Sequence, residues 1–252
     1  MSFFGTKQGK RASKKCFFFS AILFCIYSTL SVSALADQPK NFEAIYKAKI
    51  NGISITATRK LETLENGNQK LTFIADSWIG DIIETSEFQW DENARVIPQT
   101  YTYNRTGLGR NREAILKFNW ENNQVINNVE RKPWKMDVPD LALDKVSYQL
   151  QIRSDLINKI PLSTYNIADG GRLKQYDFEV LGEEELETRA GKFTAVRVKR
   201  IREESEDRQT IFWLAKNWDY LVIRVQQQEE DGASYEIDLR EATLDGEKVK
   251  GH

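Results

Sequence analysis

The stretch Ile53-Ser54-Ile55-Thr56-Ala57-Thr58-Arg59-Lys60-Leu61 decides the fold class. Ile53, Ile55, Ala57 and Leu61 alternate with Ser54, Thr56, Thr58 and Lys60. A period of two sends one set of side chains to each face of a strand, so one face is buried and the other wet. Asn66-Gly67 then gives a tight-turn signal leading into Leu71, Phe73 and Ala75. The same rhythm continues in both directions. A run from 83 ends at Trp90, where Asp91-Glu92-Asn93 breaks it. Tyr101 and Tyr103 share a face after Pro98. Ala114, Leu116, Phe118 and Trp120 form another stripe, closed by Glu121-Asn122-Asn123 before 124–131.

Beyond Pro161 the pattern resumes with Tyr176, Phe178 and Val180. Strand-like runs follow at 192–202, 208–215 and 219–228. Asp231-Gly232 turns the chain into Tyr235, Ile237 and Leu239. The acidic group at Glu183, Glu184, Glu185 and Glu187 reads as a solvated turn. One segment follows a different period. Residues 141–158 fit a helix, with Asp140 or Asp144 as N-cap. Leu143, Val146, Leu150 and Ile157 fall together, beside Leu141, Tyr148, Ile152 and Leu156. Asp144, Ser147, Gln151, Ser154 and Asp155 occupy the opposite side. The wide apolar arc predicts deep packing against a sheet. About ten strands and one long helix imply a mostly β domain, an antiparallel curled sheet or incomplete β-barrel packed on that helix.

The ends set the compartment. Lys7, Lys10, Arg11, Lys14 and Lys15 precede an apolar run from Cys16 to about Val32, and Ala34-Leu35-Ala36 supplies a small-x-small cleavage pattern. This predicts a signal peptide over 1–36, a mature start at Asp37 and a periplasmic location. The run is broken by serines and a threonine and is short for a membrane span. An uncleaved anchor is the other reading. A lipidation site at Cys25 is disfavoured by bulky Phe24 before it. The expected mature chain, 37–252, is one domain without a transmembrane span. Its tail from about Asp245 is polar and expected to fray.

Composition excludes chemistries. Of 36 basic and 37 acidic residues, five basic ones lie in the leader, leaving a mature net charge of −6. An acidic domain disfavours nonspecific nucleic-acid binding. Both cysteines, Cys16 and Cys25, lie in the leader, and the single histidine is His252. Nucleophilic catalysis built on Ser-His-Asp or Cys-His is therefore not expected. Nor are metal centres built from His and Cys. No calcium-loop spacing and no cofactor motif is present.

Several segments together resemble a known family. They are Phe42-Glu43-Ala44-Ile45-Tyr46, Pro98-x-x-Tyr101, Asp144 through Arg153, Gly191-Lys192-Phe193-Thr194-Ala195-Val196-Arg197-Val198, and Phe212-Trp213-Leu214-Ala215 with Tyr220-Leu221-Val222-Ile223-Arg224. In order and spacing, over roughly 42–240, they are similar to the exported bacterial family of unknown function numbered 3108. The resemblance implies export and a β-rich fold. It implies no reaction and supplies no catalytic residue.

Candidate binding residues come from local anomalies. Arg153 falls inside the apolar arc of the helix, so it must be paired or reach solvent. It is either a structural ion pair, a side chain snorkelling past the sheet, or an anchor for an anionic head group in an apolar cavity. Gln149, one turn away, can share either role. The segment 105–112 carries Arg105, Arg110 and Arg112 with Gly107 and Gly109, which reads as a solvated hairpin tip or a clasp for phosphate or carboxylate. Trp134 and Trp218 sit in loop-like sequence and are candidate contact surfaces. The other tryptophans read as core. Three functions remain open. The first is a noncatalytic periplasmic carrier of an apolar or amphipathic ligand such as a lipid. The second is an envelope assembly factor holding a protein partner at a sheet edge. The third is a carboxylate-based hydrolase.

Overall fold

The computed structural model describes residues 1, 5, 36–50, 53–107, 109, 111–129, 132–201, 208–229 and 234–252. The leader's basic and apolar runs and the Asp231-Gly232 turn lie outside the described residues. The described residues from Ala36 to His252 form one compact unit. Eight strands come first: β1 (Phe42–Ile50), β2 (Ile53–Thr63), β3 (Gln69–Ser77), β4 (Gly80–Trp90), β5 (Val96–Gly107), β6 (Arg112–Asn119), β7 (Gln124–Val129) and β8 (Lys132–Asp137). A two-residue strand β9 (Leu143–Asp144) and the helix α1 (Tyr148–Ile157) interrupt the series. Seven strands follow: β10 (Thr164–Asp169), β11 (Arg172–Thr188), β12 (Gly191–Ile201), β13 (Arg208–Ala215), β14 (Leu221–Glu229), β15 (Ser234–Leu244) and β16 (Glu247–Lys248).

These strands form one sheet. Consecutive strands pair antiparallel, and β1 pairs with β15 to join the two halves. The exception is β9, which runs parallel to β10. The path runs from β8 at one end to β9 at the other, so among the described residues no backbone ladder joins the ends. The sheet nevertheless curls until β1–β4 and β11–β15 line one cavity. Side chains close the seam. A Cβ on Gly171, in the β10–β11 turn, would meet the Trp134 ring of β8 at 2.1 Å, and Gly171 has φ +86°. Glycine is required there by both the backbone conformation and the ring lying on it.

The inward faces carry the core. Ala44, Leu61, Leu71, Phe88, Leu116, Val198, Leu214, Ile223 and Leu239 are all buried, as the period-two stripes predict. The helix is shorter than predicted. Its first seven expected residues, 141–147, are instead strand β9 with a turn on either side, because Asp144 redirects the backbone amides. Asp144 Oδ1 accepts from the amides of Val146 and Ser147 at 3.0 and 2.9 Å, and Ser147 Oγ accepts from the Asp144 amide at 3.0 Å. Such local side-chain bonds compete with helix. Ser147, not Asp140 or Asp144, is the N-cap position.

The side of α1 expected to be polar is buried as well. Gln151, Ser154 and Asp155 bond to β5, the turn before it and β10. The curled sheet surrounds the helix, so a polar face can persist only by satisfying strand ends that have no ladder partner. The Val96 amide donates to Gln151 Oε1 at 2.8 Å, and Ser154 Oγ donates to the Ala94 carbonyl at 2.6 Å.

The C-terminal tail is also docked, not frayed. β16 pairs with β15, and Val249 is 2% exposed, its amide on the Ala242 carbonyl at 2.9 Å. The amides of Gly251 and His252 donate to Ala190 and Lys192 on the β11–β12 hairpin. Buried Val249, the β15–β16 pairing and these backbone bonds together hold it. Among the described residues no helix is long and apolar enough to cross a membrane.

Candidate functional site

The cavity of about 270 Å³ between the two halves of the sheet is the candidate site. Its walls come from alternating inward positions. Tyr46 of β1, Ala57 and Arg59 of β2, Phe73 of β3 and Glu84 of β4 face Tyr176, Arg200, Phe212, Val225 and Ile237 of β11–β15. The first turn of α1 contributes Tyr148 and Gln149, after Lys145 and Val146 in the approach. More than half of the described lining residues are aromatic or aliphatic, and the rest include three cations, Arg59, Lys145 and Arg200, against one carboxylate, Glu84. Glu84 Oε2 accepts from Tyr101 at 2.5 Å. Arg200 stacks on Tyr176, 3.4 Å from the ring centre. Burial pushes the Tyr148 hydroxyl up to about 12, so it stays protonated at neutral pH.

Arg59 is the residue that reading the sequence missed. It is 9% exposed; its Nη1 donates to Gln149 Oε1 at 2.6 Å, while its Nε has no hydrogen-bond partner among the described residues. A signal for it exists in the opening stretch. Ile55, Ala57 and Leu61 face inward, and the same parity puts Arg59 between them. A charge at an inward strand position is the anomaly that Arg153 presented on the helix.

Arg153 is 2% exposed and lies one layer behind, in a dry recess whose walls include Tyr46, Arg59, Gln149 and Val222 of the cavity. Among the described residues it has no carboxylate pair, and it does not reach solvent. Nε donates to the Asp219 carbonyl at 2.9 Å, the guanidinium stacks 4.7 Å from the centre of Phe42, and both Nη atoms lack hydrogen-bond partners among the described residues. Burial lowers its pKa to about 10, nearby Tyr46 and Asp219 raise it, and Arg59 lowers it further. It remains charged at neutral pH. Its carbonyl partner sits in a turn where Asp219 and Tyr220 take φ +48° and +52°, a conformation that costs non-glycine residues energy.

The other predicted candidates do not join this site. Arg112 lines a second cavity of about 240 Å³ at the seam, with Tyr101, Tyr103, Lys145 and Asp169. Lys145 borders both cavities, 5.4 Å from the Tyr103 ring centre and 4.0 Å from Asp169. Arg110 lies outside the described residues. Of the two glycines in that segment, Gly107 serves the backbone: a Cβ on it would stand 2.3 Å from Gly80 Cα across the β4–β5 ladder. Trp134 is on strand β8, not in a loop, and is 42% exposed with its ring on Gly171. Trp218 is half-buried in the β13–β14 turn, and its Nε1 donates to the Lys250 carbonyl at 3.1 Å. Both rings fasten chain segments. No group of three His, Cys, Asp or Glu among the described residues is placed to hold a metal ion.

A curled sheet enclosing a helix and a lined cavity defines a β-barrel-like domain. The chain belongs to the family of proteins of unknown function DUF3108, whose model matches residues 43–240. A β-barrel-like protein of the unknown-function family DUF1849 from Brucella abortus shares the fold. Its TM-score is 0.55 at 9% identity, over 85% of this chain and 98% of that one. The MucA/MucB complex structure from Pseudomonas aeruginosa matches at a TM-score of 0.36 and 12% identity, over 85% of this chain and 55% of that one. No curated protein matches the chain.

Proposed function

We propose that this domain is a noncatalytic periplasmic protein that binds an apolar or amphipathic ligand inside its curled sheet. The observation that carries the reading is the cavity of about 270 Å³, apolar over much of its wall and bordered by a few fixed polar groups. That combination is what small-molecule sites share, and the volume is near the lower end of their usual range of roughly 300–1,000 Å³. The leader-like start, with its Ala34-x-Ala36 motif, supports export.

The competing readings find less support. A hydrolase working by two carboxylates needs both at the substrate, and Glu84 is the one carboxylate among the described residues of the cavity lining. A partner strand adding to a sheet edge needs a free ladder. The β8 edge carries Pro133, which has no amide to donate, and exposed Lys135, while β9 is two residues long. Such features protect an edge from pairing.

Native mass spectrometry of the protein purified from the periplasm tests the proposal. A copurified amphiphile that leaves on denaturation is the expected result. A stoichiometric protein partner with an empty cavity would favour the scaffold reading instead.

A further inference from the structure

The cavity says more about its ligand than its size. Arg59 and Arg153 are neighbouring buried cations, and among the described residues neither has a carboxylate within ion-pair distance. Three guanidinium nitrogens of the pair, Arg59 Nε and both Arg153 Nη atoms, are closed to solvent and have no hydrogen-bond acceptor among the described residues, so the charge of the pair is left uncompensated beside the cavity. Burying an unpaired charge is costly, and two of like sign cost more. Native interiors leave few such groups, and each calls for an explanation. The Asp219 carbonyl satisfies Arg153 Nε but leaves the remaining donors unaccounted for. Nor does the helix N-terminus compete for an anion here, since Asp144 already takes the amides of Val146 and Ser147.

The register fixes a direction. Arg59 stands at the helix end of the cavity, bonded to Gln149 of the first helical turn. Thr210 and Gln227 pair with each other at the other end, near the strand ends at Arg208 and Glu229. Between them lie Phe212, Val225 and Ile237.

We infer that the ligand is a singly headed anionic amphiphile that enters head first, its carboxylate or phosphate resting on Arg59 beside Gln149 and its apolar tail lying along Phe212, Val225 and Ile237. This rests on the binding function proposed above. Arg153 stays behind the wall, where no water-sized space reaches it, and acts on the anion through its charge. Arg59 makes the contact.

The experiment compares laurate, dodecyl phosphate and dodecanol as ligands of the delipidated full exported protein by calorimetric titration. The variants are Arg59→Met, Arg59→Lys and Arg200→Met, each checked for native near-ultraviolet circular dichroism. Charge-assisted bonds predict that at least one of the two anions binds the wild type about tenfold to a hundredfold tighter than the alcohol. Which of them does so separates carboxylate from phosphate chemistry. Arg59→Met should bring that anion down to the affinity of the alcohol, and Arg59→Lys should retain part of the preference. Equal affinity for anions and alcohol would overturn the inference and leave the binding function standing. So would loss of preference in Arg200→Met alone, which would put the head group at the other end. If none of the three binds, the binding function fails and the inference with it.

Discussion

Two polar clusters share the interior of this domain, and they differ in how completely they are satisfied. Around the ends of α1, Asp144 and Asp155 each use both carboxylate oxygens as acceptors. Ser86 and two backbone amides bond Asp144, and Tyr165 and Gln151 bond Asp155. A few residues away, Arg59 and Arg153 leave three donors without acceptors among the described residues. The closed cluster fastens the helix to β4, β5 and β10, replacing ladder bonds that the interrupted sheet lacks. The open cluster faces, or stands behind, a cavity. The difference separates polar groups that specify the fold from polar groups held ready for something else.

The largest expected effect is in the closed cluster. Asp144→Ala strands the Ser86 hydroxyl and the amides of Val146 and Ser147 in the interior. At about 1–3 kcal/mol for each buried unsatisfied group, and with partial relaxation, the expected loss is about 3–5 kcal/mol. Urea unfolding measures it. A loss below about 1 kcal/mol would mean that the cluster is not the fastening described here.

Asp155 adds a pH signature. Burial raises its pKa, and its bonds to Tyr165 and Gln151, with the charge of Arg95, lower it; burial wins. The folded state therefore holds this proton at a pH where the unfolded chain, with a pKa of about 3.9, has released it. The linkage gives a contribution that is full below about pH 4 and lost as pH rises through the folded pKa. Asp155→Asn should flatten that part of the stability profile. Stability measured between pH 4 and 7 should show a smaller slope in the variant than in the wild type. An unchanged slope would remove Asp155 from the account.

Arg153→Met comes next. The change removes the bond to the Asp219 carbonyl, of the charged class worth about 1.5–3 kcal/mol, and also removes a desolvated charge. No carboxylate is left behind. A net loss of about 1 kcal/mol in urea unfolding is expected, well short of the about 3–5 kcal/mol that breaking a buried ion pair costs. A loss in that higher range would point to a carboxylate partner after all.

Much of this was legible in the sequence, and the failures have physical causes. The stripes at 53–61 and 114–120 and the helical period after Tyr148 were readable because each follows one geometry. The helix start at 141 was misread because Leu143 and Val146 fit an apolar arc whatever the backbone does, while Asp144 competes for the amides. That the polar side of α1 is buried as well is not legible, because a helix wheel shows relative direction, not what surrounds it. Arg153 was visible as a charge among apolar neighbours, but its lack of an ion pair depends on a sheet that closes around it. Arg59 is equally visible by parity, but its apolar neighbours complete the stripe without it.

The smallest expected effect is the one that tests the comparison most directly. Arg59 is nearly as buried as the acids, so burial alone predicts a large loss on substitution. The geometry predicts otherwise. Arg59→Met gives up one bond, from Nη1 to Gln149, whose half-buried amide can turn to the cavity and be satisfied by water. In return it removes an unpartnered Nε from the interior and the repulsion with Arg153, while the methionine stem keeps most of the apolar contact. The gains and losses are of similar size, so stability should stay within about 1 kcal/mol of the wild type in either direction. Urea unfolding of ligand-free protein measures it, because a bound amphiphile would add its own stabilisation to the wild type. A loss of about 3 kcal/mol or more would place Arg59 with the closed cluster, as a structural group, and remove the reason for calling the second cluster open.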